Sequence, residues 1–354
     1  MTQNSLIVRA ITYFTPRVET REELESIIHR ASEIHSVLEK TLENQGYHVF
    51  TKRISLPGPR REIIYKLVDY LERGLLVSTG YNSEYGFEDI IEFTSKGLFV
   101  PVLYNKEPSI DKAREYSSLI HKIASINPEN ATRFAIGFHD EYFQTPYFPD
   151  SSSRGSEAIG LAFLYPELVL RKLKEGLTIW EAFRSVFREV NRVVEITRNT
   201  TGLPVFVDYS LSPWMENSVV QLYVEAGYSV LDSSGVYYTW LLNKVIDDTS
   251  DSSIRIGFNE VMLPYAEDSI LLEYGRRGLI RARDLLLLAS TCVAGVDMIV
   301  VPENTESLAR IIAGLMSIKY VKKKPLSIRA IPVSSKPGDT VDLGRFGRVV
   351  VIDY

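Results

Sequence analysis

Along the chain, short apolar runs rich in β-branched residues alternate with longer stretches in which apolar residues recur every three or four positions. The first such pair is LIVRAITYF followed by Thr20 to Gln45, and the second is YHVFTKRISL followed by Arg60 to Arg73. Runs of the first kind read as buried strands and stretches of the second as amphipathic helices, so the alternation is that of parallel strands joined by helices. Further strands are expected at LLVSTGY, GLFVPVLY, RFAIGFH, LPVFVDYS, YSVLD, IRIGF, VDMIVVP and LSIRAIP, which brings the total to ten. The helix after Thr20 is the best signalled. Leu24, Ile27, Ile28, Ala31, Ile34, Leu38 and Leu42 make one apolar stripe, Thr20 and Glu23 have capping-box spacing, and Gly46 stands just past the end.

Between Asp140 and Gly202 two helical patterns follow one another with no strand expected between them. This break divides the chain into halves at about 1–140 and 203–354, five strands each, joined by a helical connection over 141–202. No low-complexity linker separates them, so one α/β domain over 1–354 is expected. After the last strand, a Pro-Gly-Asp turn flanked by alternating apolar residues predicts a closing hairpin.

Composition narrows the function classes. The 354 residues carry a net charge of -5 and ordinary apolar and charged fractions, 45% and 24%, which fit an ordered chain and argue against a phosphate-backbone binder. KYVKKKP, the one basic run, reads as a solvated helix end. The single cysteine, Cys292, excludes an intramolecular disulfide and a cysteine-cluster metal site. Neither a leader pattern nor an apolar run of spanning length is present, so a cytoplasmic protein that contacts neither membrane nor nucleic acid is expected. A homo-oligomer is expected from its frequency among such proteins.

The second half carries a resemblance. VDYSLSPWMENSV, GFNEVMLPYAEDS, TCVAGVDMIVVPENT and SIRAIPVSSKPGDTVDLGRFGRVVV resemble, in this order, segments of the family known as domain of unknown function 711. The residues that carry the likeness are Asp208, Ser210, Leu211 and Pro213; Pro264 with Glu267 and Asp268; Cys292 with Gly295 and Asp297; and the closing Pro-Gly-Asp with Gly344 and Gly347. TPYFPDSSS is similar to the family's Pro-aromatic-aromatic-Pro loop, whereas residues before Ala131 match in topology only. The resemblance implies the barrel fold of the pyruvate formate-lyase-like glycyl radical enzymes: ten strands in two antiparallel five-strand halves, each half parallel, ringed by helices. It does not imply their chemistry. The tail GRFGRVVVIDY lacks the Arg-Val-x-Gly-aromatic motif, and Cys292 precedes a strand instead of sitting on a hairpin between the halves, so no glycyl radical is expected.

Ligands of parallel α/β units bind beyond the carboxyl ends of the strands, here on opposite rims for the two halves. The first rim offers Tyr13, Thr15, Asn82, Tyr104, His139 and Asp140; the second, more acidic, offers Asp208, Ser210, Ser233, Ser234, Asn259, Glu260 and Glu303. Asp208 ends a strand and is a candidate base, or else a cap for a helix near Trp214. Glu267 and Asp268 are candidate catalytic acids that also stand where a helix would want capping residues. His139 beside Asp140 and Glu141 could work as an acid-base cluster or be a surface residue. Ser210, Ser234 and Glu260 are candidate substrate contacts, although Ser234 also reads as a plain cap. In the TPYFP loop, Thr145, Tyr147 and Phe148 would line or lid a pocket, or pack on the barrel. Asp297 reads as structural, pairing with Arg345 or Arg348, and Cys292 as a small buried residue. Histidine spacing gives no zinc motif, though paired carboxylates leave room for a divalent cation such as Mg²⁺. Two readings follow: a non-radical enzyme acting on a small hydroxylated or keto metabolite through the acidic rim, or a ligand-sensing or scaffold protein that has lost the chemistry of its fold relatives.

Overall fold

A computed structural model describes residues 6–67, 74–141, 143–291 and 295–354. Its strands are β1 (Ile7–Phe14), β2 (His48–Val49), β3 (Lys52–Ser55), β4 (Leu76–Ser78), β5 (Val100–Leu103), β6 (Phe134–Phe138), β7 (Ala158–Leu164), β8 (Val205–Asp208), β9 (Gly295–Pro302), β10 (Leu326–Val333), β11 (Thr340–Asp342) and β12 (Arg348–Val350). They form a six-stranded sheet, ordered β4-β3-β1-β7-β8 with β2 on β1, and a four-stranded sheet, ordered β5-β6-β10-β9. β11 and β12 make the expected C-terminal hairpin. Helices surround the sheets.

Strand direction changes at two seams. β1, β3 and β4 are mutually parallel, as are β5 with β6, β7 with β8, and β9 with β10, whereas β1 meets β7 and β6 meets β10 antiparallel. Isolated parallel bridges join Ser78 to Phe99 and Val207 to Arg255. β1 is buried at every position but the first, because a strand packed on both faces has no solvent side to alternate with.

The capping box at Thr20 and Glu23 opens the helix Arg21–Asn44 as the spacing predicts. The next helix is Arg61–Leu67; the rest of that expected helix, to Arg73, and Cys292 lie outside the described residues. Two expected strands are corrected. YSVLD is a turn in which only Val230 is buried, leading to the helix Ser233–Thr249, and IRIGF contributes only the bridge at Arg255. Conversely, β7 lies in the stretch where two successive helical patterns and no strand are expected. AIGLAFL is apolar at every position, so period alone does not separate a doubly buried strand from a helix segment. Gly160 leaves room there for the Phe14 ring, which a Cβ would overlap.

Candidate functional site

Three strands each carry a buried arginine, Arg9 on β1 and Arg329 on β10 in mostly apolar runs and Arg53 on the more polar β3, each only 5–6% exposed. Two are placed by irregular pairing. Between Val8 and Ala10 the β1–β7 register shifts, leaving Arg9 as the extra residue; between Val296 and Ile299 of β9, Asp297 and Met298 face the single Arg329 of β10. A bulge breaks alternation and re-aims a side chain, and here it sets Asp297 against Arg329. The Arg329 guanidinium forks onto Asp297, Nε to Oδ1 at 2.7 Å and Nη2 to Oδ2 at 2.8 Å, and also reaches Glu267 Oε1 at 2.8 Å. Arg9 Nη2 takes the other Glu267 oxygen at 2.5 Å, while its Nη1 donates to the Pro213 carbonyl. Burial pushes the Glu267 carboxyl up, but Arg329 and Arg9 outweigh it and hold the group below its ordinary range.

These side chains line a cavity of about 40 Å³ that Arg53, Tyr147, Phe148, Asp150 and Arg345 complete. Arg53 donates to Thr51 Oγ1 at 3.0 Å and to the Pro146 carbonyl at 2.9 Å, and it lies over the Phe148 ring at 5.2 Å. Asp150 Oδ2 accepts from Ser327 Oγ at 3.3 Å, while its buried Oδ1 has no hydrogen-bond partner among the described residues. Burial, reinforced by the nearby Asp297 charge, pushes the Asp150 carboxyl up to about 7. The Tyr147 hydroxyl shares a 2.9 Å hydrogen bond with Ser212 Oγ, and the Arg9 guanidinium sits 5.7 Å from the Tyr147 ring centre.

The acids of GFNEVMLPYAEDSI are thereby separated. Glu267 points into the cavity, whereas Asp268 caps the helix Ser269–Arg276, its Oδ1 accepting from Ile270 N–H at 3.0 Å and Ser218 Oγ at 2.7 Å. Asp268 Oδ2 also accepts from Val219 N–H at 2.9 Å, so this carboxylate ties two chain segments together. Glu260 is buried and neutralised by Lys322, 3.2 Å away, and Lys324. The basic run therefore does more than solvate a helix end. Asp208 is fully buried and accepts five donors: Ser210 N–H and Oγ, Asn259 N–H, Phe258 N–H and Thr145 Oγ1, at 2.6 to 3.0 Å. It holds the turn at Gly257, whose φ of +75° and tight approach to Asp208 leave no space for a Cβ. Asn259 is kept at φ 60° in the same turn.

Ser210 and Thr145 are thus gathered around Asp208, and Tyr147, Phe148 and Glu267 around the cavity. Ser234 lies elsewhere: its Oγ accepts from Ser229 N–H at 3.1 Å and its own N–H donates to Asp232, a helix-cap arrangement. His139 is not a surface residue but 2% exposed, with Nδ1 donating to the Asp140 carbonyl at 2.9 Å and Nε2 2.7 Å from the Tyr81 hydroxyl. Burial pulls its pKa down to about 4, so the imidazole is neutral near pH 7. Gly137 makes room for that ring, since a Cβ there would overlap Nε2. Gly137→Ala should therefore displace the imidazole and destabilise the fold by about 1–3 kcal/mol, read as a lower urea midpoint and a shifted His139 ring ¹⁵N resonance.

Arg9, Arg53, Arg329 and Asp150 were absent from the sequence-derived candidates. The signal for Arg9 and Arg329 is an arginine interrupting a mostly apolar strand and for Asp150 the position directly after the TPYFP loop, whereas Arg53, beside Lys52 on a polar strand, carries no such signal. Asp297 pairs with Arg329 and not with Arg345 or Arg348, and it lines the cavity. Among the described residues, no group of three or more His, Cys, Asp or Glu side chains could hold a metal ion, and no helix is long and apolar enough to cross a membrane.

A family model described as "Uncharacterised ACR (DUF711)" matches residues 105–344. Among curated proteins, a UPF0210 protein of Pyrobaculum aerophilum is 26% identical over 269 residues, covering 69% of this chain and 59% of that relative. One from Pyrobaculum islandicum is 34% identical over 203 residues, 53% of this chain and 45% of its own length. One from Methanocorpusculum labreanum is 32% identical over 152 residues, 40% and 34% of the two chains. The matched region spans little more than half of even the first of these relatives, 59% of its length.

Proposed function

The chain belongs to the DUF711 family of uncharacterised proteins, and on that premise we propose that the cavity around Glu267 and Asp150 is the active site of a non-radical enzyme. The two sheets are then arcs of one ten-stranded barrel, a reading supported by the bridges from Ser78 to Phe99 and from Val207 to Arg255 and by the antiparallel seams. The substrate is a small polar metabolite, hydroxylated or keto, and the reaction moves a proton. The observation that carries this is Asp150, a buried carboxyl with one unpartnered oxygen in a cavity lined by arginines. A group poised near 7 suits general acid-base work at neutral pH. Arg9 and Arg329, locked by Glu267, would polarise an oxygen next to it, and Tyr147 and Ser212 would orient a hydroxyl. Asp208, Ser210, Thr145 and Asp268 lie behind the cavity lining and hold its supporting turns and caps in this reading, while Glu260, Ser234 and His139 support the scaffold.

The alternative of a ligand sensor or scaffold draws on the cavity's size. About 40 Å³ holds roughly three waters, less than a typical metabolite pocket. A thermal-shift screen of hydroxylated and keto metabolites, followed by turnover assays on those that bind, separates the two. Asp150→Asn should cost roughly 10²-fold or more in turnover while keeping the fold; binding with no turnover under any pH would leave the sensor reading standing.

Asp150→Asn also has a stability signature. A carboxyl raised on folding binds more protons folded than unfolded between its ordinary value and about 7, so its contribution to stability declines as pH rises through that window. The variant lacks this decline, and its stability relative to the parent should increase from about pH 5 to about pH 8. Urea titrations at the two pH values measure it.

A further inference from the structure

We infer that the ligand of this cavity carries an oxyanion, a carboxylate or a phosphate, seated on the Arg53 guanidinium. The inference rests on reading the cavity as a ligand site and adds the charge class of what it takes. Four arginines line the cavity: Arg9, Arg53, Arg329 and Arg345. Among the described residues, only three carboxyls, Asp150, Glu267 and Asp297, line it with them. Glu267 is shared by Arg9 and Arg329, and Asp297 is taken up by the Arg329 fork, so the two fully committed acids serve two of the arginines. Asp150, pushed up to about 7, is near half-protonated at neutral pH and supplies only part of the remaining charge.

Among the described residues, Arg53 and Arg345 are left over, and of the two it is Arg53 that is buried. Its partners are a hydroxyl, a carbonyl and an aromatic face, all neutral, and no carboxylate among the described residues lies within ion-pair distance of it or of Arg345. Burial, with Arg9 and Arg345 nearby, weakens the hold of Arg53 on its proton, the mark of a cation lacking its counter-charge. A buried charge without a partner is costly to keep, and natural folds retain such features where function needs them. The Phe148 ring stacked on Arg53 and the Pro146 carbonyl hold the guanidinium plane in place. A planar, pre-oriented fork is the group that takes a carboxylate or phosphate through paired hydrogen bonds.

The solvent-exposed part of the cavity lining is aromatic and cationic. Phe50, 37% exposed, packs against Trp214 with ring centres 5.1 Å apart, and both line the cavity. Arg345, on the turn between β11 and β12, sits 4.8 Å from the Phe346 ring centre and adds a second unmatched positive charge. A volume of about 40 Å³ restricts the ligand, or the part of it that enters, to the size of one small oxyanion.

The test uses the full chain at constant ionic strength, with acetate, malonate and inorganic phosphate as probes, acetamide and glycerol as neutral counterparts and sodium chloride as the salt control. At least one oxyanion should raise Tm saturably where the neutral compounds and chloride do not, and the arm that saturates first tells carboxylate from phosphate. Arg53→Met should raise the Tm of the unliganded protein by removing the unmatched charge, and weaken oxyanion binding roughly tenfold or more. Arg61→Gln, an exposed arginine away from the cavity, should change neither. If Arg53→Met fails to fold, Arg53→Lys keeps the charge without the fork and should still weaken binding. Stabilisation by acetamide or glycerol but not by the oxyanions would overturn the charge assignment and leave the polar-metabolite reading intact. Stabilisation by none of the probes would overturn both, and oxyanion binding unchanged in the Arg53 variants would overturn the seat on Arg53.

Discussion

Glu267→Gln should destabilise the protein by about 3–5 kcal/mol, the largest effect expected of any single substitution in the cavity wall. The carboxylate joins Arg9 on β1 to Arg329 on β10, and so couples the two sheets through one buried group. Glutamine keeps the shape but turns an amide N–H₂ toward one guanidinium, leaving a buried donor against a donor and two arginines with one carbonyl. Because Glu267 is held below its ordinary carboxylate range, the stability it confers is present above the unfolded-state value and lost as pH falls through the folded-state one. The parent should therefore lose this contribution in acid, and the gap between parent and variant should close there. Urea unfolding at neutral and acid pH measures both. A loss under about 1 kcal/mol at neutral pH would mean that the arginines find other partners.

Asp208→Asn is expected to cost about 3 kcal/mol or more, through a different mechanism. All five groups around this carboxylate donate to it, and asparagine offers one acceptor oxygen together with an N–H₂ that faces donors. The turn at Gly257–Asn259 should open with it, detected as faster amide exchange at Phe258 and Asn259 and a lower Tm. A variant with parental stability but no ligand binding would return Asp208 to the catalytic role that its strand-end position suggests.

The two substitutions also mark where sequence reasoning works. An acid ending an apolar strand and a Glu-Asp pair ahead of a helix are local patterns, and the capping role of Asp268 follows from its place in the chain. Whether Asp208 faces ligand or backbone depends on Gly257–Asn259, about fifty positions later, where the amides of Phe258 and Asn259 and the left-handed torsions of Gly257 and Asn259 build its cage. The arginines escaped notice for a related reason. Strand alternation assigns a side chain to a face only while pairing is regular, and Arg9 and Arg329 both lie where the register shifts. β7 gives no strand signal because a strand buried on both sides has no alternation, and YSVLD mimics a strand because a short apolar run before a cap resembles one.

By itself the sequence determined the α/β class, the capped helix after Thr20, the closing hairpin and the family, because each rests on local periodicity, turn chemistry or ordered motifs. Only the tertiary structure decided which acids are neutralised, which are caps and which face the cavity. Those outcomes depend on long-range partners, Arg9 with Glu267 and Lys322 with Glu260 among them, and on the low dielectric of a closed interior, where an unmatched arginine or an unpartnered carboxyl oxygen becomes the feature that points to a ligand.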